Sequence, residues 1–303
     1  MIEKITFIGS KHLGIRSLQT IYGLAPDKLW SIVTLNDHKD TRCKLDEFKE
    51  FAKHSEKKLH ILNKPSEFEA IIKEDSPDMC IVVGWYWLIK KNILENVPNG
   101  FLGIHPSLLP KYRGGAPLIW PIINGDKESG VSLFYLDNDM DAGDVVDQKR
   151  FDIADEDTVA DILVKTESLA TKLFKNNLPL IFKNKESKVP QDHNAATYYS
   201  MRKPEDGRIN WHSSSVEIYN FIRAQTHPYP GAFCYVGNKK MYLWKSRVAP
   251  QEYHGIPGLV VKVSDTYVVV VCGKGAICLY KVQIENSKEE TAGNVLKYGE
   301  YVK

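Results

Sequence analysis

The chain has 303 residues, 43% of them hydrophobic and 26% charged, with a formal net charge of +2. These proportions exclude a disordered or collagen-like chain, and the length suits two domains. The balanced charge carries no general footprint for nucleic acid.

The longest apolar run, Ile81 to Ile89, is far short of the ~20 residues a membrane-spanning helix needs. The N-terminus lacks the apolar block of a signal peptide. The five cysteines (Cys43, Cys80, Cys234, Cys272, Cys278) form no CxxC pair and are odd in number. A disulfide framework or a zinc site is therefore not expected, and the expected location is cytoplasmic.

In chain order, Lys4–Gly9 reads as a buried strand, Leu13–Tyr22 as a helix and Leu29–Leu35 as a second strand. Leu45–His54 has helical spacing, with Phe48 and Phe51 on one face, and Met79–Val83 is a third strand. This alternation predicts a parallel sheet with crossover helices, an α/β class. Gly9 and Gly14 do not make a GxGxxG fingerprint; they read as a tight turn and a close helix approach.

Val131–Leu136 and Val145–Phe151 read as paired strands around the acidic loop Asp137–Gly143. Thr158–Asn176 reads as a helix capped by Asp157 or Thr158. The polar stretch Lys185–Arg208, with Pro190 and Pro204, reads as a surface linker. Beyond it come a helix at Ser215–Ala224, capped by Ser213 or Ser214, and five short strands. Those strands are Phe233–Val236, Met241–Ser246, Gly258–Val263, Tyr267–Cys272 and Ala276–Val282, the pattern of a small β-barrel.

The most unusual stretch is Gly103-Ile-His-Pro-Ser-Leu-Leu-Pro-Lys-Tyr-Arg-Gly-Gly-Ala-Pro117. Its prolines exclude a regular helix and its glycines a regular strand. A long irregular loop that opens with a histidine after an apolar strand is a common place for chemistry. The second is Asp139-Met-Asp-Ala-Gly-Asp144, which lacks the spacing of a calcium loop. One of its aspartates can pair with His105 as acid and base.

His105 and its loop, followed 36 residues later by Asp141 in MDAGD, closely resemble the folate-dependent formyltransferases. Gly207–Trp211, Arg223-Ala and Pro228–Phe233 resemble the second domain of that group, which occurs in methionyl-tRNA formyltransferases and bacterial UDP-amino-sugar N-formyltransferases. The latter are the nearer resemblance. It implies a Rossmann-like catalytic domain over residues 1–185, a linker over 186–206 and an OB-like barrel over 207–303. It also implies 10-formyltetrahydrofolate as cosubstrate, with no metal.

The resemblance makes His105 and Asp141 the catalytic residues. The family motif is Asn-x-His, and Gly103 stands where the Asn donates to the formyl oxygen. A lost donor of that kind costs ~10²–10³ in rate, so a replacement such as a water or Asn124 is expected. The implied folate pocket uses Trp85, Tyr86 and Leu88, with Leu108, Leu109 and Pro110 as lining and Asp137 and Asp139 in a covering loop. Trp87 is read as core.

For the acceptor, the segment Asn36–Leu45 is short and mixed in charge, unlike the basic insertion of the tRNA enzymes. Its Asp37 and Arg42 resemble the sugar-nucleotide group. Arg113, Arg202 and Arg223 are the expected partners of a diphosphate. The expected function is N-formylation of a nucleotide-linked 4-amino-deoxy sugar, UDP-linked by preference, for surface polysaccharide synthesis. No nucleic-acid or membrane partner is expected, and a homodimer is left open. The alternatives are methionyl-tRNA formylation, a catalytically impaired folate or sugar-nucleotide binding relative, and a hydrolase that releases formate.

Overall fold

A computed structural model describes residues 2–303. The first half holds β1 (Ile5–Gly9), α1 (Lys11–Leu24), β2 (Leu29–Leu35), α2 (Leu45–Ser55), β3 (Lys58–Leu62), α3 (Phe68–Asp75), β4 (Met79–Val83), α4 (Lys91–Leu94) and β5 (Phe101–His105). There follow β6 (Arg113–Gly114), α5 (Trp120–Asn124), β7 (Glu128–Tyr135), β8 (Val145–Asp152), α6 (Val159–Ile181) and β9 (Tyr198–Tyr199). The last third holds α7 (Ser215–Arg223), β10 (Ala232–Val236), β11 (Lys239–Val248), β12 (Val260–Val263), β13 (Val268–Val271), β14 (Ala276–Ile284), β15 (Glu290–Thr291) and α8 (Ala292–Val295).

The chain divides into two compact units. Unit 1 comprises residues 1–117, 128–152 and 163–200; unit 2 comprises 118–127, 153–162 and 201–303. Residues 186–200, read from sequence as linker, thus belong to unit 1. There β9 pairs with β6 and Gln191 is buried. Polar composition misled the reading, because this stretch is held by hydrogen bonds rather than by apolar burial.

Unit 1 is built on a seven-stranded sheet in the order β3-β2-β1-β4-β5-β7-β8. The first five strands are parallel, and β7 and β8 run antiparallel. The chain winds outward from β1 to β3 and then returns to the other side of β1 with β4. Such a reversal of strand order opens a crevice at the carboxyl ends of the strands. The strand β3 and the helix α3 went unread in the sequence; Lys58–Leu62 buries only Leu62 fully and has little apolar run.

Both faces of the sheet are covered, so β1, β4 and β5 are buried throughout. That is why they read as continuous apolar runs. Gly9 and Gly14 are close-approach positions: a Cβ there would lie 2.7 Å and 3.2 Å from the Val83 carbonyl oxygen. α6 runs five residues beyond its expected end and carries Pro179 inside it.

Unit 2 contains an antiparallel sheet in the order β10-β11-β14-β13-β12, with β15 on β14. Its two edges are joined by the last residues of the chain. Val302 bridges Val236, the last residue of β10, and Tyr301 bridges Leu259, just before β12. The sheet therefore closes on itself as the expected barrel, and closure removes exposed edges. Ser214 caps α7 by accepting from the Glu217 N–H, and Glu217 accepts in return from Ser214. Among the described residues no helix is long and apolar enough to cross a membrane.

Candidate active site

Alternation along β5 sets Phe101, Gly103 and His105 on one face, and Leu102 and Ile104 on the other, within the main core. His105 is the last residue of the strand, at its carboxyl end, and is 6% exposed. Its Nε2 lies 2.8 Å from the carbonyl oxygen of Tyr112. A carbonyl only accepts, so Nε2 carries the hydrogen. Nδ1 is thereby turned to Asp141, whose Oδ2 is 3.6 Å away. His105 is thus held between the Tyr112 carbonyl on one side of the ring and the Asp141 carboxylate on the other. The Asp141 carboxylate accepts instead from the Gly114 N–H at 2.7 Å.

The loop after His105 is pinned at several points. Ser107 Oγ donates to the Lys111 carbonyl, and Ser132 Oγ donates to the Ser107 carbonyl, both at 2.7 Å. Gln148 Nε2 donates to the Leu109 carbonyl and to Ser132 Oγ, both at 2.8 Å. From the other side come residues the sequence reading missed. Thr197 Oγ1 accepts from the Tyr112 N–H, and Arg113 N–H and Gly115 N–H donate to the carbonyls of Thr197 and Tyr199. Tyr112 and Tyr199 stack with centroids 4.5 Å apart. The one signal in the sequence was Tyr198-Tyr199, a pair of good strand formers inside an otherwise polar stretch.

An Asn at Gly103 would have to displace neighbouring side chains. A Cβ there would lie 2.6 Å from Leu136 Cδ1 and 3.0 Å from Phe134 Cε1. Apolar side chains line the space a Cβ would enter. Asn124, considered as a replacement, lies on α5 in unit 2.

The residues expected around a folate divide. Trp85 stands edge-on to Trp87 at 5.3 Å and tilted over Phe68 at 5.6 Å. With Leu88, Glu69 and Lys90 they line a cavity of about 200 Å³. Trp87, read as core, lines it too. Tyr86 is exposed and turned elsewhere, with Lys11 Nζ 5.6 Å from its ring centroid. Leu109 is buried, and Leu108 packs on Gly130 of β7. Pro110 is half-buried. Asp137 and Asp139 are exposed, and Asp137 borders a separate cleft of about 410 Å³ that also takes in Gly100, at the end of β5 away from His105. The two cavities share no residue, so Asp137 and the tryptophans are not brought to one pocket.

Of the three arginines expected to bind a diphosphate, Arg113 and Arg223 are committed inside the fold, whereas Arg202 bonds through Nη2 and its Nε has no hydrogen-bond partner among the described residues. Arg113 is fully buried and donates to Gln191 and to the Tyr198 hydroxyl. In unit 2, Arg223 donates to the carbonyls of Ala154 and Asp157 and to Asn220. Arg202 is half-buried, bonded to the Asp206 carbonyl and to Gln225, and lies over Trp120 and Phe221. Each guanidinium bonds to oxygens of its own unit, which sequence spacing does not reveal.

The connection between β2 and α2 carries its own ion cluster. Lys11 Nζ contacts Asp37, and Asp40 at 2.8 Å. Arg42 forks onto Asp40 through Nε and Nη2, at 2.9 and 2.8 Å. Partial burial alone would raise the Asp40 pKa, but the bonds from Arg42 and Lys11 outweigh it and hold the carboxyl well below its usual range. Burial and the nearby Asp37 and Asp40 push the Tyr86 phenol up to about 12. Cys43, in the same connection, is half-buried, whereas the other four cysteines are buried.

Residues 28–178 match the formyl transferase family, and residues 202–298 match the formyl transferase C-terminal domain. A methionyl-tRNA formyltransferase of Acetivibrio thermocellus is 33% identical over 300 residues, covering 95% of this chain and 94% of that protein. The chain belongs to the formyl transferase family. Two solved structures share its fold along nearly the whole length. One is WlaRD, a sugar 3N-formyl transferase solved with dTDP and 5-N-formyl-THF, at 25% identity and TM-score 0.67, with 95% and 100% of the two chains covered. The other is the Helicobacter canadensis N-formyltransferase with folinic acid and dTDP-3-aminofucose, at 24% identity and TM-score 0.69, with 92% and 99% covered. The antiparallel barrel and the mixed seven-stranded sheet are thus both formyltransferase features.

Proposed function

We propose that this formyl transferase moves a formyl group from 10-formyltetrahydrofolate to the primary amine of a nucleotide-linked amino sugar. The amine nitrogen attacks the formyl carbon and a tetrahedral oxyanion forms. The carbon–nitrogen bond to the folate then breaks, and the proton lost by the amine ends on the folate nitrogen. Asp141 is the group that accepts and returns that proton. With Nε2 committed to Tyr112, donation to the oxyanion falls to His105 Nδ1, which requires the imidazolium form beside the Asp141 carboxylate. Trp85, Trp87 and Leu88 offer an aromatic wall for the pterin.

The observation that carries the acceptor choice is the state of the β2–α2 connection. It is short, and Lys11 and Arg42 are paired there with Asp37 and Asp40. Cations already neutralised add little affinity for the phosphates of an acceptor stem. A diphosphate needs fewer charges, and with Arg113 and Arg223 committed, exposed Lys111 on the His105 loop is the cation nearest in sequence to the reacting pair. Methionyl-tRNA is the second reading, favoured by the Acetivibrio relative. A mass-spectrometric screen of UDP- and dTDP-linked amino sugars, with charged initiator tRNA alongside, decides between them. Formylation of at least one sugar nucleotide, with the tRNA inert, is expected. Efficient formylation of the tRNA with every sugar nucleotide inert overturns the sugar reading.

A further inference from the structure

Gln191 stands in the segment that looked like a linker, 50 residues beyond Asp141 and 78 beyond Arg113. It is 7% exposed. A side-chain amide has two donor hydrogens and two acceptor lone pairs. All four are used here. Nε2 donates to the carbonyls of Asp141 and Gly143, at 2.9 and 2.7 Å. Oε1 accepts from Nε and Nη2 of Arg113, at 3.1 and 2.7 Å. The reversed amide would set its NH2 against a guanidinium and its oxygen against two carbonyls, so only this orientation is stable.

These bonds close a ring around one residue. Arg113 leads directly to Gly114, whose N–H holds the Asp141 carboxylate. Gln191 ties Arg113 back to the Asp141 carbonyl. Asp141 itself has φ +52°, in the left-handed region that non-glycine residues seldom occupy. Such a backbone costs of order 1–3 kcal/mol and persists only where its surroundings hold it. The carboxylate thus depends on contacts from outside its own turn, and Gln191 supplies two of them.

We propose that Gln191 is a positioning residue for formyl transfer: its amide clamps the Asp141–Gly143 turn to Arg113, and so keeps the Asp141 carboxylate beside His105 Nδ1. The proposal rests on the reading of His105 and Asp141 as the reacting pair. It gives one side chain of the stretch that looked like a linker, Gln191, a role in formyl transfer although it touches neither substrate.

The test is a set of steady-state measurements with 10-formyltetrahydrofolate and, as acceptors, a dTDP-linked amino sugar and methionyl-tRNA, whichever is turned over. Gln191→Glu keeps the shape but loses both donors; Gln191→Met loses donors and acceptor without adding charge. Each is expected to lower kcat by about tenfold or more, since small misplacements of reacting groups cost up to ~10²-fold. The KM for the folate should stay within about threefold, because uniform binding is untouched. The deciding readout is a double-mutant cycle. In an Asp141→Asn background, adding Gln191→Met should change the residual turnover by less than about twofold, because groups acting as a unit do not add. A purely structural glutamine would give additive losses. Tyr198→Phe is the control: it removes an acceptor from Arg113 at an exposed residue without reaching Asp141, and should leave kcat within about twofold.

Near-normal kcat in both Gln191 variants overturns the proposal, as do additive losses in the cycle or a Tyr198→Phe loss as large as theirs. Gln191→Asn carries the same cycle if the methionine variant does not fold. An Asp141→Asn enzyme with normal turnover has a different meaning: it removes the reacting-pair assignment itself, and this proposal with it.

Discussion

The corner around His105 and the connection between β2 and α2 both leave the carboxyl ends of strands in the same sheet, yet different forces hold them. The His105 corner is fixed by buried and part-buried hydrogen bonds, several of them from side chains to backbone carbonyls, as with Gln148, Gln191 and Ser132. The β2–α2 connection is fixed by ion pairs among Lys11, Asp37, Asp40 and Arg42, which water partly reaches. Backbone-directed bonds in a dry site are geometrically exacting and insensitive to salt. Ion pairs near the surface tolerate substitution, weaken with salt and are each worth little. The chain holds the His105 corner by directed bonds and the β2–α2 connection by adjustable charge.

The sharpest way to break this contrast is at the reacting pair. His105→Asn and Asp141→Asn are each expected to lower kcat by at least ~10²-fold, about 2.7 kcal/mol of barrier, while folate binding by titration is retained. Near-normal turnover in both would remove the corner from the chemistry.

Restoring the family residue tests how tightly the corner is packed. Gly103→Asn should destabilise the protein by ~1–3 kcal/mol in denaturant unfolding, because Leu136 and Phe134 occupy the side-chain space. Adding Leu136→Ala should recover part of that loss in stability. A fully stable Gly103→Asn enzyme would show that the apolar filling yields freely.

The smallest effect belongs to the connection. The folded-state pKa of Asp40 is depressed, so its stabilising contribution is fully present above the ordinary carboxylate value of 3.8 and is lost only as pH falls through the depressed value. Between pH 5 and 8, Asp40→Asn should therefore shift stability by a nearly constant amount. The wild-type advantage should shrink only below about pH 4. A wild-type advantage that changes between pH 5 and 8 would contradict the ion-pair account.

Much of this was legible in the sequence, for physical reasons that differ by region. The strands β1, β4 and β5 announce themselves because burial on both faces demands continuous apolar residues. The His105 loop stands out because three prolines and two glycines forbid regular structure. The Gln191 clamp was hidden, since a buried polar side chain leaves no periodic trace. Arg113, Arg202 and Arg223 misled for the same reason: sequence shows a charge but not the carbonyls and amides that claim it. The space above Gly103 was also invisible, because it is filled by Leu136 from beyond the end of β7.

The distribution of thiols gives the enzyme a natural labelling site. Cys80, Cys234, Cys272 and Cys278 are buried, and burial raises each of their pKa values, so a maleimide meets little reactive thiolate among them. Cys43 alone is half-open to solvent; partial burial and Asp37 raise its pKa too, so exposure rather than acidity sets it apart, and it sits inside the ion cluster between β2 and α2. A single fluorophore can thus be attached to the native chain, without engineering, at the connection between β2 and α2.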